Sequence, residues 1–156
     1  MKLTEAIIEE HLEYFSNKTI LEIACGEASM SLEASKYAKH VLASDIEAYR
    51  LKRLEIIPDN FSSMVVDAID LESIDYNPDT IFCFNGLGHM QEDLVDILEA
   101  TIKKVSKSGH ILFFSSWKMD RNVSREELQP LLTERADIKF ACHENKKYDT
   151  VIISLA

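Results

Sequence analysis

Residues Ile20 to Ser29 read ILEIACGEAS. An apolar, β-branched run meets an acid at Glu22 and then breaks into small residues. About twenty residues on, a second apolar run, Val41 to Ser44, ends at Asp45. A strand, a tight loop passing into a helix, and a second strand ending in a carboxylate form an arrangement suited to gripping a nucleotide. Small residues let backbone N–H groups approach the ligand, and the distant acid takes ribose hydroxyls.

Further strands are read outward from this stretch. Their apolar runs span 18–24, 40–45, 62–67, 79–85 and 109–116, mostly on consecutive positions. Consecutive apolarity predicts strands covered on both faces, as in a parallel sheet. Helical stretches fall between them, at about 28–38, 46–57 (stopped by Pro58) and 91–106. A capping box, Ser124 with Glu127, opens another over 125 to about 134. Leu3, Ile7, Ile8, Leu12 and Phe15 recur at helical spacing and predict an amphipathic helix over about 4–16, with Asn17 as a left-handed stop. The chain closes with Ile138–Cys142 and Thr150–Ser154 around the polar turn His143–Lys147, a terminal hairpin. The expected fold is α/β: a doubly wound, mostly parallel seven-stranded sheet with helices on both faces and an antiparallel C-terminal hairpin. Residues 1–156 are expected to form a single domain.

Composition narrows the partners. A net charge of −10 disfavours phosphate backbones. No apolar stretch reaches the roughly 18 residues of a spanning helix, and the N-terminus MKLTEAIIEE is too acidic for a signal peptide, so a cytoplasmic location is expected. Cys25, Cys83 and Cys142 lack CxxC spacing and read as buried free thiols, and no His/Cys/Asp/Glu group has metal-ligand spacing.

These motifs, taken in order, resemble a class I S-adenosylmethionine-dependent methyltransferase over most of the chain. The family's acid and small-residue loop, Glu/Asp-x-Gly-x-Gly-x-Gly, stands here as Glu22-Ile23-Ala24-Cys25-Gly26-Glu27-Ala28, with only the central glycine kept. Asp45, in SDIEAY, matches the acid after the second strand. Asp67 and Ala68, in VVDAIDL, match the pair that meets adenine. DTIFCFNGLGHM (79–90) is similar to the fourth strand and its loop, and KSGHILFFSSW (107–117) to the turn and fifth strand.

The resemblance implies S-adenosylmethionine as cofactor, with S-adenosylhomocysteine as product, held by Glu22, Ala24, Cys25, Gly26, Asp45, Ile46, Asp67, Ala68, Phe84 and Asn85. Gly26 lets the backbone lie close to the methionine part, and alanine at position 28 narrows the room there. Glu22 holds the loop by accepting backbone N–H bonds. Asp45 accepts both ribose hydroxyls or caps the following helix. Asn85 and Gly86 lie past the end of the fourth strand, at the topological switch point, and Phe84 and Asn85 line the methionine part. Methyl transfer from a sulfonium needs a positioned nucleophile and exclusion of water more than a base. His89 is the candidate base, set against a packing or capping role, so the catalytic residues stay unassigned.

Substrate reading stops at a small-molecule acceptor, since the Asn/Asp-Pro-Pro-Tyr/Phe tetrapeptide is replaced by FNGL. The rival of the same fold is a non-catalytic cofactor-binding module acting with a protein partner. A nicotinamide dehydrogenase would want Gly-x-Gly-x-x-Gly where this chain has Ala24, Gly26 and Ser29. The short flanks predict a pocket closed by the N-terminal helix or a second chain. Tyr14, Phe15, Tyr49, Trp117 and Lys118 are its candidate covers, and the terminal hairpin edge is a candidate for self-association.

Overall fold

The computed structural model describes residues 1–52, 54–116 and 125–156 and, for residues 88, 89, 91 and 125, the backbone alone. The readings of Trp117, Lys118 and the Ser124 cap fall outside those residues. Seven strands form one sheet: β1 (Thr19–Glu22), β2 (His40–Asp45), β3 (Phe61–Val65), β4 (Thr80–Phe84), β5 (His110–Ser116), β6 (Ile138–Glu144) and β7 (Tyr148–Leu155). Their order is β3-β2-β1-β4-β5-β7-β6. β7 alone runs antiparallel to its neighbours, β5 and β6, which gives the mostly parallel sheet and closing hairpin expected from the sequence.

Consecutive apolar residues serve two layers because successive side chains leave opposite faces of a strand. Ile20, Val41, Phe82, Leu112 and Phe114 pack with Ile7, Ile8, Phe15 and Met30 on one face. There the helices are α1 (Leu3–Glu10), α2 (Leu12–Phe15) and α3 (Ser29–Ser35). Leu21, Leu42, Ile81, Ile111 and Phe113 face the other way, onto Ile97, Leu98, Leu128 and Leu132. Those belong to α5 (Leu94–Lys104) and α6 (Arg125–Thr133). The chain winds outward from β1 through β2 to β3, then resumes at β4 on β1's other side. The crevice between β1 and β4 is therefore the switch point.

Several boundaries differ from the expectation, each for a local reason. The N-terminal helix is two pieces broken at His11, whose backbone leaves the helical region (φ −124°, ψ 26°) and whose Nδ1 pairs with the Ile7 carbonyl at 2.8 Å. Asn17 takes the left-handed stop (φ 59°). The helix read over 46–57 is only α4 (Ala48–Leu51). Asp45 draws back the Glu47 N–H, delaying the helix start. Ile56, 83% exposed, and Ile57 find no apolar surface to cover, so nothing sustains further turns. β3 departs from the two-faced burial expected of it: Ser62 to Val65 are exposed at the sheet's edge. α5 begins at Leu94, after a 3₁₀ turn over Gln91–Asp93.

Two candidate covers are also reassigned. Phe15 is fully buried in the core. Tyr14 meets His110 edge to face (centroids 4.9 Å apart), and its carbonyl accepts the Thr80 hydroxyl at 2.6 Å. Thr80 and His110 open β4 and β5, so Tyr14 sits at the opposite end of the sheet from the ligand side. Cys25 and Cys83 are buried free thiols as expected, but Cys142, also free, is partly exposed on β6.

Candidate functional site

The loop leaving β1 is fastened at every step to the end of β2. The Cys25 N–H donates to the Ser44 carbonyl at 2.9 Å, and the Ser44 hydroxyl donates to the Glu22 carbonyl at 2.8 Å. The Gly26 N–H donates to Asp45 Oδ2 at 2.8 Å, while Asp45 Oδ1 accepts the Glu47 N–H at 2.9 Å. Asp45 thus uses one lone pair of each oxygen to tie the loop to the second crossover and keeps the others for a ligand. The clamp is compatible with the ribose contact expected of Asp45 from the sequence.

Residues 24, 26 and 28 all take left-handed backbone (φ 51°, 57° and 60°), so the alternating small residues mark a backbone requirement that alanine meets twice at a cost. The two alanines differ in surroundings. Ala24 lines the cavity below, whereas Ala28 is fully buried in the α1–α3 layer. The narrowing of the ligand space assigned to Ala28 is therefore corrected: its methyl group packs into the core.

Glu22 is 2% exposed, and its Oε1 accepts the Ser31 hydroxyl at 2.6 Å, so its side chain reaches into α3. Burial pushes this carboxyl up to about 8, and the nearby Asp45 charge adds to the effect. Burial likewise raises the Cys25 thiol and pushes the Cys83 thiol up to about 12, which keeps both uncharged and unreactive at neutral pH.

A cavity of 370 Å³ opens beside the loop, lined by Ala24, Asp45, Ile46, Glu47, Arg50, Val66, Asp67, Ala68, Gly86, Met90 and Asp93. That volume lies in the usual range for a small-ligand site. Five of the ten predicted cofactor residues (Ala24, Asp45, Ile46, Asp67, Ala68) meet there, brought from the ends of β1, β2 and β3. Asp67 Oδ1 accepts the Ile69 N–H at 3.2 Å, which orients the carboxylate at the turn after β3. Four carboxylates, Asp45, Glu47, Asp67 and Asp93, stand against one cation, Arg50, in the lining, and such a balance favours a cationic ligand.

Phe84 and Asn85 lie instead in a second cleft, of 530 Å³, with Ser29, Ser116, Lys2 and Thr4. Asn85, in left-handed backbone (φ 63°), is held in a two-way bridge. Its amide donates to Ser116 Oγ at 3.1 Å, and its Oδ1 accepts the Ser116 N–H at 2.8 Å. The two hollows share no lining residue, but consecutive residues divide between them: Asn85 lines the second and Gly86, which opens the 3₁₀ turn Gly86–His89, lines the first. A Cβ on Gly86 would fall 2.5 Å from Ala24 Cβ, so only glycine lets this turn reach the loop. The His89 side chain is not among those described.

Sequence reading missed Glu47, Arg50, Val66, Met90 and Asp93, and placed Gly86 at the switch point without giving it a ligand role. Arg50 is the most consequential of these. Its Nη1 stands 3.4 Å from where a Gly26 Cβ would be, its Nε lies 3.2 Å from Glu47 Oε2, and its guanidinium sits 5.7 Å from the Tyr49 ring centroid. The available signal was its place five residues past Asp45, one helical turn beyond the strand end. Among the described residues, no group of three or more His, Cys, Asp and Glu could hold a metal ion, and no helix is long and apolar enough to cross a membrane.

Solved structures share the fold. In fold the chain is similar to DhpI in its complex with S-adenosylhomocysteine (TM-score 0.76, 18% identity, 97% of this chain and 83% of that one). It is also similar to a TehB-like S-adenosylmethionine-dependent methyltransferase from Corynebacterium glutamicum (TM-score 0.77, 14% identity, 98% and 88%). A third similar structure is the glycopeptide N-methyltransferase MtfA (TM-score 0.77, 12% identity, 98% and 90%). No curated protein matches the chain in sequence. The methyltransferase-domain family matches residues 21–114, a span that runs from β1 into β5 and holds every residue lining the 370 Å³ cavity. The chain belongs to that family and is an S-adenosylmethionine-dependent methyltransferase.

Proposed function

We propose that the chain methylates a small-molecule acceptor, with the adenosine part of the donor in the 370 Å³ cavity and the acceptor in the 530 Å³ cleft. The observation that carries this reading is the adjacency of the two hollows across one loop. Ala24 lines the first, Ser29 the second, and Gly86 and Asn85 divide between them in the same way. When bound, S-adenosylmethionine supplies an electrophilic methyl group on a positively charged sulfur.

The chain's own residues would then do the positioning. Asp45 would accept the ribose hydroxyls with its free lone pairs, held still by Gly26 and Glu47. Asp67 and the Ala68 N–H would meet the adenine edge, and Ile46 would cover the ring. The excess of carboxylates would favour the cationic donor over its neutral product. Phe84 and Leu32 give the cleft an apolar wall, and Thr4, Ser29 and Ser116 give it hydroxyls, a lining suited to a small polar molecule. The net charge of −10 supports such an acceptor over a nucleic acid.

Calorimetric titration with S-adenosylhomocysteine tests the placement. Asp45→Ala should weaken binding by about 1.5–3 kcal/mol, the scale of hydrogen bonds to a charged group. Unchanged affinity in a folded variant would remove Asp45 from the site. Turnover against small acids, amines and thiols then tests the acceptor class, and methylation confined to macromolecules would refute it.

A further inference from the structure

The two edges of the sheet are built differently. β6, at one end, presents exposed Lys139, His143 and Glu144, charges of the kind that discourage strand addition. β3, at the other, reads Phe-Ser-Ser-Met-Val, with no charge and no proline. Among the described residues it pairs only with β2; the Phe61 N–H turns back to the Pro58 carbonyl at 3.1 Å, and the outward groups of Ser63 and Val65 stay open. Met64 is 42% exposed and Val65 52%, and they leave opposite faces of the strand. Ile56 and Ile57, stranded where the second crossover helix stops short, lead into this strand; Ile69 follows it, and Ile46 and Tyr49 follow its neighbour β2. Large apolar side chains therefore flank the free edge before, along and after β3.

We propose that this edge is the dimer interface of the protein. Two copies join β3 to β3, antiparallel across a twofold axis, and continue the sheet from one chain into the next. Three observations single out a second copy. An antiparallel pair of identical strands satisfies both open edges at once and is self-complementary by symmetry. The pairing strand itself is uncharged within a chain of net charge −10, so the ladder between two copies would set no like charges within Phe61–Val65 face to face. Ile56 and Ile57, Tyr49, Met64, Val65 and Ile69 are all large, apolar and between 42% and 83% exposed, the kind of surface that a stable interface of roughly 800 Å² per partner buries. Pairing through the hairpin edge, expected from sequence, is disfavoured by the charges on β6.

Sedimentation velocity over a concentration series, at low and high salt, tests the proposal. The wild type should approach twice 17.8 kDa. Its affinity should rise with salt, because each acidic chain repels the other and salt screens that repulsion. Met64→Lys should raise the dimer dissociation constant at least about tenfold, equivalent to 1.4 kcal/mol or more. Met64 is exposed on the edge, so thermal melting should change little. Hydrogen exchange on the unaltered protein gives an independent reading: β3 amides should gain protection with protein concentration, while β6 amides should not.

A wild type monomeric at its highest soluble concentration in high salt would overturn the proposal. So would association that Met64→Lys leaves intact, association that weakens as salt rises (the signature of a basic partner surface), or β3 amides whose exchange ignores concentration. Binding of S-adenosylhomocysteine, measured on the same samples, reports separately on the methyltransferase site.

Discussion

Ala24 and Ala28 occupy left-handed backbone that glycine would adopt freely. Each carries a steric cost of roughly 1–2 kcal/mol. Glycine in their place would return about 0.4–1 kcal/mol of that as extra freedom of the unfolded chain. At position 24, whose methyl group faces the cavity, Ala24→Gly should stabilise the protein by up to about 1 kcal/mol. At position 28 the methyl is fully buried, and deleting it forfeits roughly 0.8 kcal/mol of burial, so Ala28→Gly should give no net gain. Urea midpoints of the two variants check this. Equal stabilisation by both would mean that the Ala28 methyl contributes nothing to the core. Two residues that fill equivalent places in a motif thus have different physical reasons for being alanine.

Between elements, Glu22 is the joint to watch, because it ties the end of β1 to Ser31 in α3 from inside the core. An ordinary carboxyl in the unfolded chain ionises near 4.5, whereas the folded one is held up to about 8 by burial. Within that window the folded state keeps a proton that the unfolded state has lost, so this group makes stability fall as pH rises and level off above about 8. Glu22→Gln keeps a carbonyl acceptor for the Ser31 hydroxyl and carries no charge. The variant should lose that part of the pH slope and melt higher than wild type at alkaline pH. Thermal melts from pH 5 to 9 measure it, and parallel wild-type and variant curves would show that Glu22 is not the titrating group.

The element scale also shows what a sequence can and cannot disclose. β2 was legible to the residue, His40–Asp45, because each of its buried positions has a partner layer and a carboxylate marks its end. The second crossover was not. The run IEAYRLKRLEII has helical periodicity, but periodicity reports the capacity to bury a face and not the presence of a surface to bury it on. β3 supplies serines there. At the site, the residues carried by motif (Ala24, Asp45, Ile46, Asp67 and Ala68) converge, while Arg50 is marked only by its distance from Asp45, and Asp93 enters the cavity through a backbone path that no local pattern encodes. Tyr14 failed for a related reason: two breaks in direction, at His11 and Asn17, carry its ring to the far end of the sheet.

At the scale of the whole molecule, β7 lies between β5 and β6, although it comes last of the three in sequence. The arrangement sets a timetable for synthesis. β5, with the apolar core ILFF at 111–114, has no partner on its outer side until Tyr148–Leu155 has been made. Some thirty residues separate the end of β5 from the start of β7, an interval of roughly 2–6 s at ordinary elongation rates. For that interval the growing chain holds an apolar edge that can pair with a neighbouring nascent chain instead of its own last strand. Ribosome-bound chains halted just before Tyr148 should therefore recruit holding chaperones more strongly than chains halted after Leu155 has cleared the exit tunnel. Equal recruitment would mean that β6 guards the edge until β7 arrives. The single antiparallel strand, a detail of topology in the finished protein, is thus the step at which a cell making it in quantity is most exposed to aggregation.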